Sequence, residues 1–292
     1  MSGKKIALEV RKKWKPRFKN SHKGHFGKIF ILAGSEGFTG AAHLAAAGAL
    51  KAGAGLITLG VPRKIYTVLA RRQTEVMVRP FPDTSAGSFS LKSMKPVLNF
   101  LRSQEILALG PGISQNPETQ KLVKLILKKN VLPLVLDADG LNALKNNPEF
   151  LKKLKTQVII TPHPGEFYHL FGKKVSDQGN DRKVKASWAS KTSGVYVILK
   201  GSRTVVAAPD GKIYINMTGN PGMAKGGSGD VLTGIIAALL GQKFSPWDAC
   251  RFGVYLHGLS GDLAASKIGE ASMTASDLID RLPDAIRKVR GI

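Results

Sequence analysis

The sequence is poor in cysteine, in long apolar runs and in acidic residues. Its one cysteine, Cys250, cannot form a disulfide within the chain, which excludes a stapled secreted scaffold. No apolar run approaches the roughly 18 residues of a membrane span, and no apolar stretch follows the basic N-terminus as it would in a signal peptide. We therefore expect a soluble, cytoplasmic protein with no membrane partner.

The shortage of acidic residues leaves a large positive charge. The chain has 44 Lys and Arg against 20 Asp and Glu, a formal net charge of +24. Such a surplus is common in nucleic-acid binders. Here the basic residues are scattered, and no zinc-finger spacing, basic region with heptads or aromatic-rich RNA-binding strand accompanies them. We expect solvated faces and a field that attracts small anions, with no specific nucleic acid, and keep a nucleic-acid-binding protein as the distant alternative.

Apolar and helical segments alternate along the chain. Short runs without polar alternation predict strands buried on both faces, at residues 28–32, 56–59, 106–109, 134–136, 158–160 and 195–199. Helix-length stretches between many of them, at 40–53, 116–129 and 181–192, predict an α/β fold with a mostly parallel central sheet covered by helices on both faces. Residues 204–208 and 212–215, around Pro209-Asp210-Gly211, predict a small antiparallel hairpin.

The domain organisation follows from what the chain does not contain. No linker rich in proline, glycine or serine divides it, and no repeat is evident, so we expect one domain over residues 21–292 after a basic segment, 1–20. Beyond residue 230 the pattern is almost wholly helical.

Glycine and polar residues follow five of the predicted strands. In open α/β sheets, ligands bind beyond the carboxyl ends of the strands. A binding site is therefore predicted where these loops converge, at residues 33–35, 110–112, 137–140, 161–166 and 200–202.

The strongest local signal is a glycine-rich segment, Gly219-Asn-Pro-Gly-Met-Ala-Lys-Gly-Gly-Ser-Gly-Asp230, that leads into an apolar helix. Glycine amides at a helix N-terminus form an anion hole. Asp230 at this place has two interpretations. It is either a helix N-cap, worth about 1 kcal/mol, or a general base that takes the proton from a hydroxyl about to receive a phosphate.

Two other phosphate motifs fail. The Walker pattern needs a lysine after its second glycine, and Ser228 follows Gly227 instead. The dinucleotide fingerprint lacks its third glycine after Gly53 and Gly55, and again after Gly110 and Gly112.

Taken in order, the loops resemble the ADP-dependent NAD(P)H-hydrate dehydratase family of the ribokinase-like superfamily. The resemblance spans roughly residues 20–290 and rests on His22-Lys-Gly24, Ala33-Gly-Ser35, Gly40-Ala-Ala42, Gly53-Ala-Gly55, Gly110-Pro-Gly112, Asp137-Ala-Asp139, Thr161-Pro-His-Pro-Gly-Glu166, Lys200-Gly201 and residues 220–230. It implies a ribokinase-like fold and a hydro-lyase. The implied reaction is ADP-dependent dehydration of the S-epimer of NADH or NADPH hydrate, which yields NAD(P)H, AMP and phosphate, with ATP as an alternative donor.

The same resemblance implies roles for individual residues. Asp230 is the implied catalytic base, and Ala42, Gly112, His163 and Asp230 are implied to bind the hydrated cofactor. Glu166 stands where an acid orients Mg²⁺ through water. Nucleotide and phosphate contacts are implied for Lys200, Gly201, Ser202, Arg203, Thr204, Lys225, Gly226, Gly227, Ser228 and Gly229.

Several of these residues have simpler interpretations. His163, between two prolines, would also suit a loop cap, and Lys200 and Arg203 would suit surface charges at a strand end. Asp137 and Asp139 either bind metal or shape a turn.

The resemblance also implies a homotetramer and, because the chain carries no fused epimerase domain, a separate NAD(P)H-hydrate epimerase. The alternative enzyme is a ribokinase-like small-molecule kinase acting on a vitamin-precursor alcohol. It shares the anion hole and Asp230, whereas residues 161–166 and 200–201 favour the dehydratase. His257 is expected to be a packed helical histidine.

Overall fold

The computed structural model describes residues 3–176 and 179–291. Within them, nine strands form one sheet in the order β3-β2-β1-β4-β5-β6-β7-β8-β9. The strands from β3 to β7 are parallel, and β7, β8 and β9 are antiparallel. The predicted mostly parallel sheet with an antiparallel hairpin is confirmed. The strands are β1 Lys28–Leu32, β2 Leu56–Pro62, β3 Met77–Phe81, β4 Ile106–Leu109, β5 Leu134–Leu136, β6 Val158–Ile160, β7 Tyr196–Leu199, β8 Val205–Ala207 and β9 Ile213–Ile215.

Helices cover both faces of the sheet. They are α1 Gly3–Lys13, α2 Thr39–Lys51, α3 Arg63–Arg72, α4 Met94–Leu101, α5 Pro117–Lys129, α6 Asp139–Asn142, α7 Glu149–Lys152, α8 Pro164–Phe171, α9 Asp181–Ser193, α10 Ser228–Gly241, α11 Pro246–Ile268 and α12 Ala275–Arg290. Short 3₁₀ turns occupy Lys23–Phe26, Leu91–Ser93 and Pro221–Met223. Over the described ranges, no helix combines the length and apolarity that crossing a bilayer requires.

Two hydrophobic cores lie on opposite faces of the sheet. Successive residues of β1 alternate between them: Ile29 and Ile31 pack with α2, α10 and α11, while Phe30 and Leu32 pack with α5 and α8. All four side chains are completely buried. This double burial explains why the strand sequences are continuously apolar.

Small residues let α2 and α10 approach each other closely. A Cβ on Gly48 of α2 would lie 2.7 Å from the Val231 carbonyl oxygen of α10, and a Cβ on Gly234 would collide with the Ala45 carbonyl oxygen. The two backbones are therefore in direct contact, which side chains larger than hydrogen at these positions would prevent.

The basic segment 1–20 contributes α1, which packs against α11 and α12. Ile6 and Val10 are completely buried in the core on that side of the sheet. The Lys13 Nζ lies 2.6 Å from the Asp248 carboxylate of α11. Helix α1 is thus held by apolar contacts and by an ion pair.

Candidate functional site

The loops that follow the parallel strands meet at the carboxyl edge of the sheet. Gly34 N, after β1, donates to Pro111 O after β4 at 2.8 Å, and Lys200 N, after β7, donates to Pro162 O after β6 at 2.9 Å. The side chain of Asp137, after β5, reaches Lys200. The convergence predicted from the sequence is present.

The anion hole lies at the start of α10. Gly227 is the N-cap with φ +94°, and a Cβ there would collide with Leu44. The first-turn amides of α10 are therefore free of a side-chain cap and available to an anion. The Ser228 hydroxyl is buried at the same place with no hydrogen-bond partner among the described residues, a polar atom that an anionic oxygen would satisfy.

Asp230 is the third residue of α10, so the N-cap interpretation is wrong: Gly227 holds that position. Burial, together with the charges of Asp137 and Glu166, raises the pKa of Asp230 to about 7, against the opposing effect of Lys200. A carboxyl group with such a pKa accepts and releases a proton near neutral pH, as a general base requires.

The Lys200 ammonium group lies among acidic side chains. Its Nζ is 2.8 Å from Asp137 Oδ1 and 3.6 Å from Glu166 Oε2. A Cβ on Gly229 would lie 3.2 Å from the same Nζ, so the ammonium group adjoins the first turn of α10. Burial opposes the charge, but Asp137 and Glu166 hold the pKa of Lys200 above its usual range. Lys200 is thus a partly buried cation at the anion hole, and the interpretation as a surface charge does not describe it.

His163 and Glu166 form a capping box at the N-terminus of α8. His163 Nδ1 accepts from Gly165 N at 3.0 Å and from Glu166 N at 3.3 Å, while Glu166 Oε2 accepts from His163 N at 2.8 Å. His163 is therefore a loop cap, as one interpretation had it, and it also lines the pocket. Burial and the nearby Lys200 lower the pKa of His163, which keeps the imidazole neutral.

Glu166 is buried, and that burial raises its pKa to about 6 despite the neighbouring Lys200. Across residues 3–176 and 179–291, no three His, Cys, Asp or Glu side chains come together as a metal site. A cation at Glu166 would therefore need ligands from water or from a bound phosphate.

A pocket of about 860 Å³ opens beside the anion hole. Its walls come from the end of β7, the start of α10, the loop after β9 and α11. Ten residues predicted to bind ligand line it: His163, Lys200, Gly201, Ser202, Arg203, Thr204, Lys225, Gly226, Ser228 and Gly229. A volume of this size accommodates a nucleotide-sized ligand.

Five predicted residues are outside this lining: Glu166, Gly227 and Asp230 adjoin the anion hole, and Ala42 and Gly112 lie elsewhere. Ala42 is completely buried on α2, and a Cβ on Gly34 would approach its methyl group to 2.9 Å. Gly112 has φ +58°, and a Cβ there would lie 2.8 Å from Phe38 Cβ. Both residues are buried around the loop after β1, outside the lining of the large pocket.

Lys225 lies at the surface, where its Nζ donates to Ala271 O at 2.6 Å. It lines the pocket without entering the buried charge cluster.

The sequence analysis left Asp137 open between binding metal and shaping a turn, and it gave His257 no ligand role. Asp137 is at the centre of the charge cluster, and a carboxylate directly after a buried strand was the signal for it. His257 packs in α11 as expected, but it also lines the pocket. Burial lowers the pKa of His257 to about 4, so its neutral ring donates from Nε2 to Ser228 O at 2.9 Å and supports the anion hole.

Comparison with known proteins agrees with this geometry. The family model described as NAD(P)H-hydrate dehydratase matches residues 29–284. The bifunctional NAD(P)H-hydrate repair enzyme Nnr of Moorella thermoacetica is 47% identical over 271 residues, 92% of this chain and 51% of that protein. The chain thus spans about half the length of such bifunctional relatives. The ADP-dependent (S)-NAD(P)H-hydrate dehydratase of Bacillus subtilis is 34% identical over 264 residues, 90% of each chain.

Solved structures show the same relationship. The ADP/ATP-dependent NAD(P)H-hydrate dehydratase of B. subtilis, co-crystallized with ATP/Mg²⁺, superposes with a TM-score of 0.83 at 32% identity and 97% coverage of both chains. A ribokinase-like superfamily protein from Enterococcus faecalis V583 superposes with a TM-score of 0.82 at 26% identity, covering 99% of this chain and 95% of that one. The fold is ribokinase-like, and the chain belongs to the NAD(P)H-hydrate dehydratase family.

Proposed function

We propose that this protein catalyses the ADP-dependent dehydration of the S-epimer of NADH or NADPH hydrate. The observation that carries the proposal is a single arrangement: the Asp230 carboxyl group, with a pKa of about 7, stands at a helix N-terminus built to hold an anion, beside the Lys200 ammonium group. An anion hole with an adjacent base serves transfer of a phosphoryl group to a hydroxyl. The B. subtilis relative, named as ADP-dependent and S-specific, supports the choice of substrate.

In the proposed reaction, Asp230 takes the proton of the ring hydroxyl while the hydroxyl oxygen bonds to the β-phosphorus of ADP. The bond from that phosphorus to the bridging oxygen breaks, and AMP leaves. The phosphorylated ring then loses phosphate together with a proton, which restores the double bond of NAD(P)H. No redox step occurs, because hydrate and ADP together contain the atoms of NAD(P)H, AMP and phosphate.

The residues of the large pocket hold the nucleotide in this proposal. Residues 200–204 follow β7 and contact the nucleotide, while Lys225, Gly226, Ser228 and Gly229 of the pocket lining enclose its transferring phosphate together with Gly227, the N-cap of α10. The first-turn amides of α10 and the buried Ser228 hydroxyl bind the oxygens of that phosphate. Lys200 adds the positive charge that phosphoryl transfer needs as charge develops on those oxygens.

In this proposal the hydrated cofactor lies against the loop after β1. Ala42 and Gly112 are buried beneath that loop, and their small size lets its backbone approach the ring. His163 is neutral and half exposed. Because its Nδ1 accepts from two amides of α8, its Nε2 carries the proton and donates a hydrogen bond without adding charge.

Mg²⁺ fits the acidic residues of the site as a companion of the nucleotide. It keeps several waters and binds through one or two carboxylates plus substrate phosphates. Glu166 would hold it through water, and the B. subtilis structure was obtained with ATP/Mg²⁺. When bound, the ion neutralises phosphate charge. The proton transfer at the hydroxyl remains with Asp230.

The direct test incubates the protein with hydrated NADH and either ADP or ATP, and follows the near-ultraviolet absorbance of the reduced nicotinamide. We expect that absorbance to return with ADP, to return with ATP if both donors serve, and to stay flat without nucleotide or with Asp230→Asn. A flat trace for the wild type with both nucleotides contradicts the proposal. ATP consumption with a vitamin-precursor alcohol would then support the kinase alternative, and a steeply salt-dependent shift of DNA or RNA would support the nucleic-acid alternative.

Three further properties complete the proposal on the strength of the family resemblance. The protein acts in the cytoplasm, where its substrates arise, and it assembles as a homotetramer. A separate epimerase supplies the S-epimer, in keeping with relatives of about twice this length that are named bifunctional repair enzymes.

A further inference from the structure

Asp137 is a buried charge that the proposed phosphoryl transfer does not use. Its side chain is 1% exposed and follows β5 directly. Burial opposes ionisation, but the Lys200 ammonium and hydrogen bonds from Lys200, Thr161 and Thr233 hold its pKa below the usual range. A carboxylate kept ionised in the interior is costly unless it is fully paired, so its retention requires a reason.

The two carboxylate oxygens of Asp137 contact two different parts of the site. Oδ1 accepts from Lys200 Nζ at 2.8 Å, and Oδ2 accepts from Thr233 Oγ1 at 2.7 Å. Thr233 is completely buried on α10, one helical turn beyond Gly229 and Asp230. Asp137 therefore joins the loop after β7 to the helix that carries the anion hole.

Lys200 has a competing acidic neighbour. Glu166 Oε2 lies 3.6 Å from its Nζ, on the side of α8. Without the shorter contact to Asp137, the ammonium group would be left between Glu166 on α8 and Asp230 on α10, and the hydrogen bond that fixes it beside Gly229 would be lost. The position of the cation beside the anion hole thus depends on Asp137.

We propose that Asp137 is a positioning residue: its carboxylate holds the Lys200 ammonium group against the first turn of α10 and fixes that turn through Thr233. This inference rests on the proposed nucleotide site and names a residue that acts on it through Lys200, without contact to the substrate.

The first test is Asp137→Asn, which keeps the side-chain volume and removes the charge. We expect ADP affinity, measured by calorimetry, to fall by at least about tenfold, because a charge-assisted hydrogen bond that places Lys200 is lost. Turnover falls as well. Unchanged ADP affinity in a folded Asp137→Asn protein overturns the proposal.

A double-mutant cycle with Lys200→Met tests whether Asp137 acts through Lys200. If it does, Asp137→Asn adds no further loss of ADP affinity once Lys200 is absent. We also expect the double variant to have a higher melting temperature than Lys200→Met, since the single variant leaves the buried Asp137 carboxylate without its cationic partner. Additive losses of ADP affinity contradict the mechanism.

Asp248→Asn is the matched control for stability. Asp248 is also a buried aspartate in an ion pair, with Lys13 and Arg251, but it lies on α11 near the amino edge of the sheet. We expect this variant to lose thermal stability and to keep ADP affinity and turnover. If Asp137→Asn behaves in the same way, the role of Asp137 is structural only.

If Asp137→Asn fails to fold, two variants of Thr233 test the proposal instead. Thr233→Val removes the hydroxyl that Asp137 holds, and Thr233→Ser retains it, so ADP affinity is expected to fall by about threefold or more in the first and to recover in the second. Equal affinities overturn the proposal. These measurements do not depend on the dehydration reaction: a wild type that binds ADP without forming NADH refutes the proposed function alone, and one that binds no nucleotide refutes both.

Discussion

The two walls of the candidate site are built on different principles. The wall around the loop after β1 presents backbone and small residues, with Gly34, Ala42 and Gly112 so closely packed that an added methyl group collides or crowds. The wall around α10 presents buried charge, with Lys200 among Asp137, Glu166 and Asp230. In the proposed reaction, the first of these walls fits the hydrated cofactor by shape, and the second provides electrostatic stabilisation and proton transfer.

This contrast separates binding from chemistry. Substitutions on the first wall are expected to change the KM for the hydrated cofactor, since they alter fit equally in ground and transition states. Substitutions on the second are expected to change kcat, because charge develops on the phosphate oxygens only during transfer.

The largest effect is expected at Asp230. Asp230→Asn should bind ADP and lower turnover by about 10²-fold or more, because the hydroxyl proton then has no acceptor. Steady-state kinetics with an ADP-binding measurement tests this. Wild-type turnover in the variant would show that Asp230 is not the base of the reaction.

The pH dependence should follow the same residue. Since the pKa of Asp230 is about 7 in the free protein and the base works deprotonated, kcat/KM is expected to fall about tenfold per pH unit below about pH 7. Because its pKa is raised, Asp230 stabilises the folded state fully at pH values below 3.8, the ordinary pKa of aspartate. This contribution to stability is lost as pH rises through about 7. The melting temperature of Asp230→Asn should therefore exceed that of the wild type at about pH 8.5, and this difference should disappear near about pH 4. The same difference in melting temperature at both pH values would contradict the raised pKa of Asp230.

Gly112→Ala tests the wall around the loop after β1. Gly112→Ala places a methyl group 2.8 Å from Phe38 Cβ at φ +58°, and we expect the KM for the hydrated cofactor to rise about tenfold while ADP affinity stays unchanged. Gly37→Ala is the matched control, because Gly37 has φ +82° and the added Cβ would meet no atom of the described residues within 4 Å. If both variants behave alike, backbone strain explains the effect and the fit of the ligand does not.

The smallest effect is expected at Lys225. Its ammonium group is exposed and bonded to a carbonyl oxygen, so Lys225→Met should weaken ADP binding by only about two- to threefold, diminishing further in high salt. Lys121→Met, at an exposed position of α5, serves as the control and should leave ADP affinity unchanged. A loss as large as that for Lys200→Met would place Lys225 inside the charge cluster.

The fold could be predicted wherever burial leaves a local pattern. Strands β1, β4, β5 and β6 begin and end where their apolar runs do. Strand β3 was missed, because Pro80 and Arg79 interrupt it and it pairs only with β2 at the edge of the sheet, where such residues are tolerated. Helix α1 was missed since its basic residues conceal Ile6 and Val10, whose burial depends on distant partners in the core.

The site also contains one part that the sequence could predict and one part that it could not. Glycine at the start of α10 could be predicted to form an anion hole because the chemistry is local to one segment. The partnership of Asp137 with Lys200 and Thr233 joins residues 63 and 96 positions away from Asp137, so no spacing in the sequence shows it. Long-range ion pairs need the sheet order, which apolar runs alone do not specify.

The direct backbone contact between α2 and α10 has a mechanical consequence. Ala42 lies on α2 and Asp230 on α10, so each wall of the site is anchored to one member of this helix pair. Helices in contact through Gly48 and Gly234 have no intervening side chains whose rotamers would let them slide, and they move as one rigid block. The distance between Asp230 and Ala42 is therefore set when the protein folds, before any ligand arrives. Ligand entry and release must then be accommodated by the loops at the carboxyl edge, with the reacting geometry unchanged.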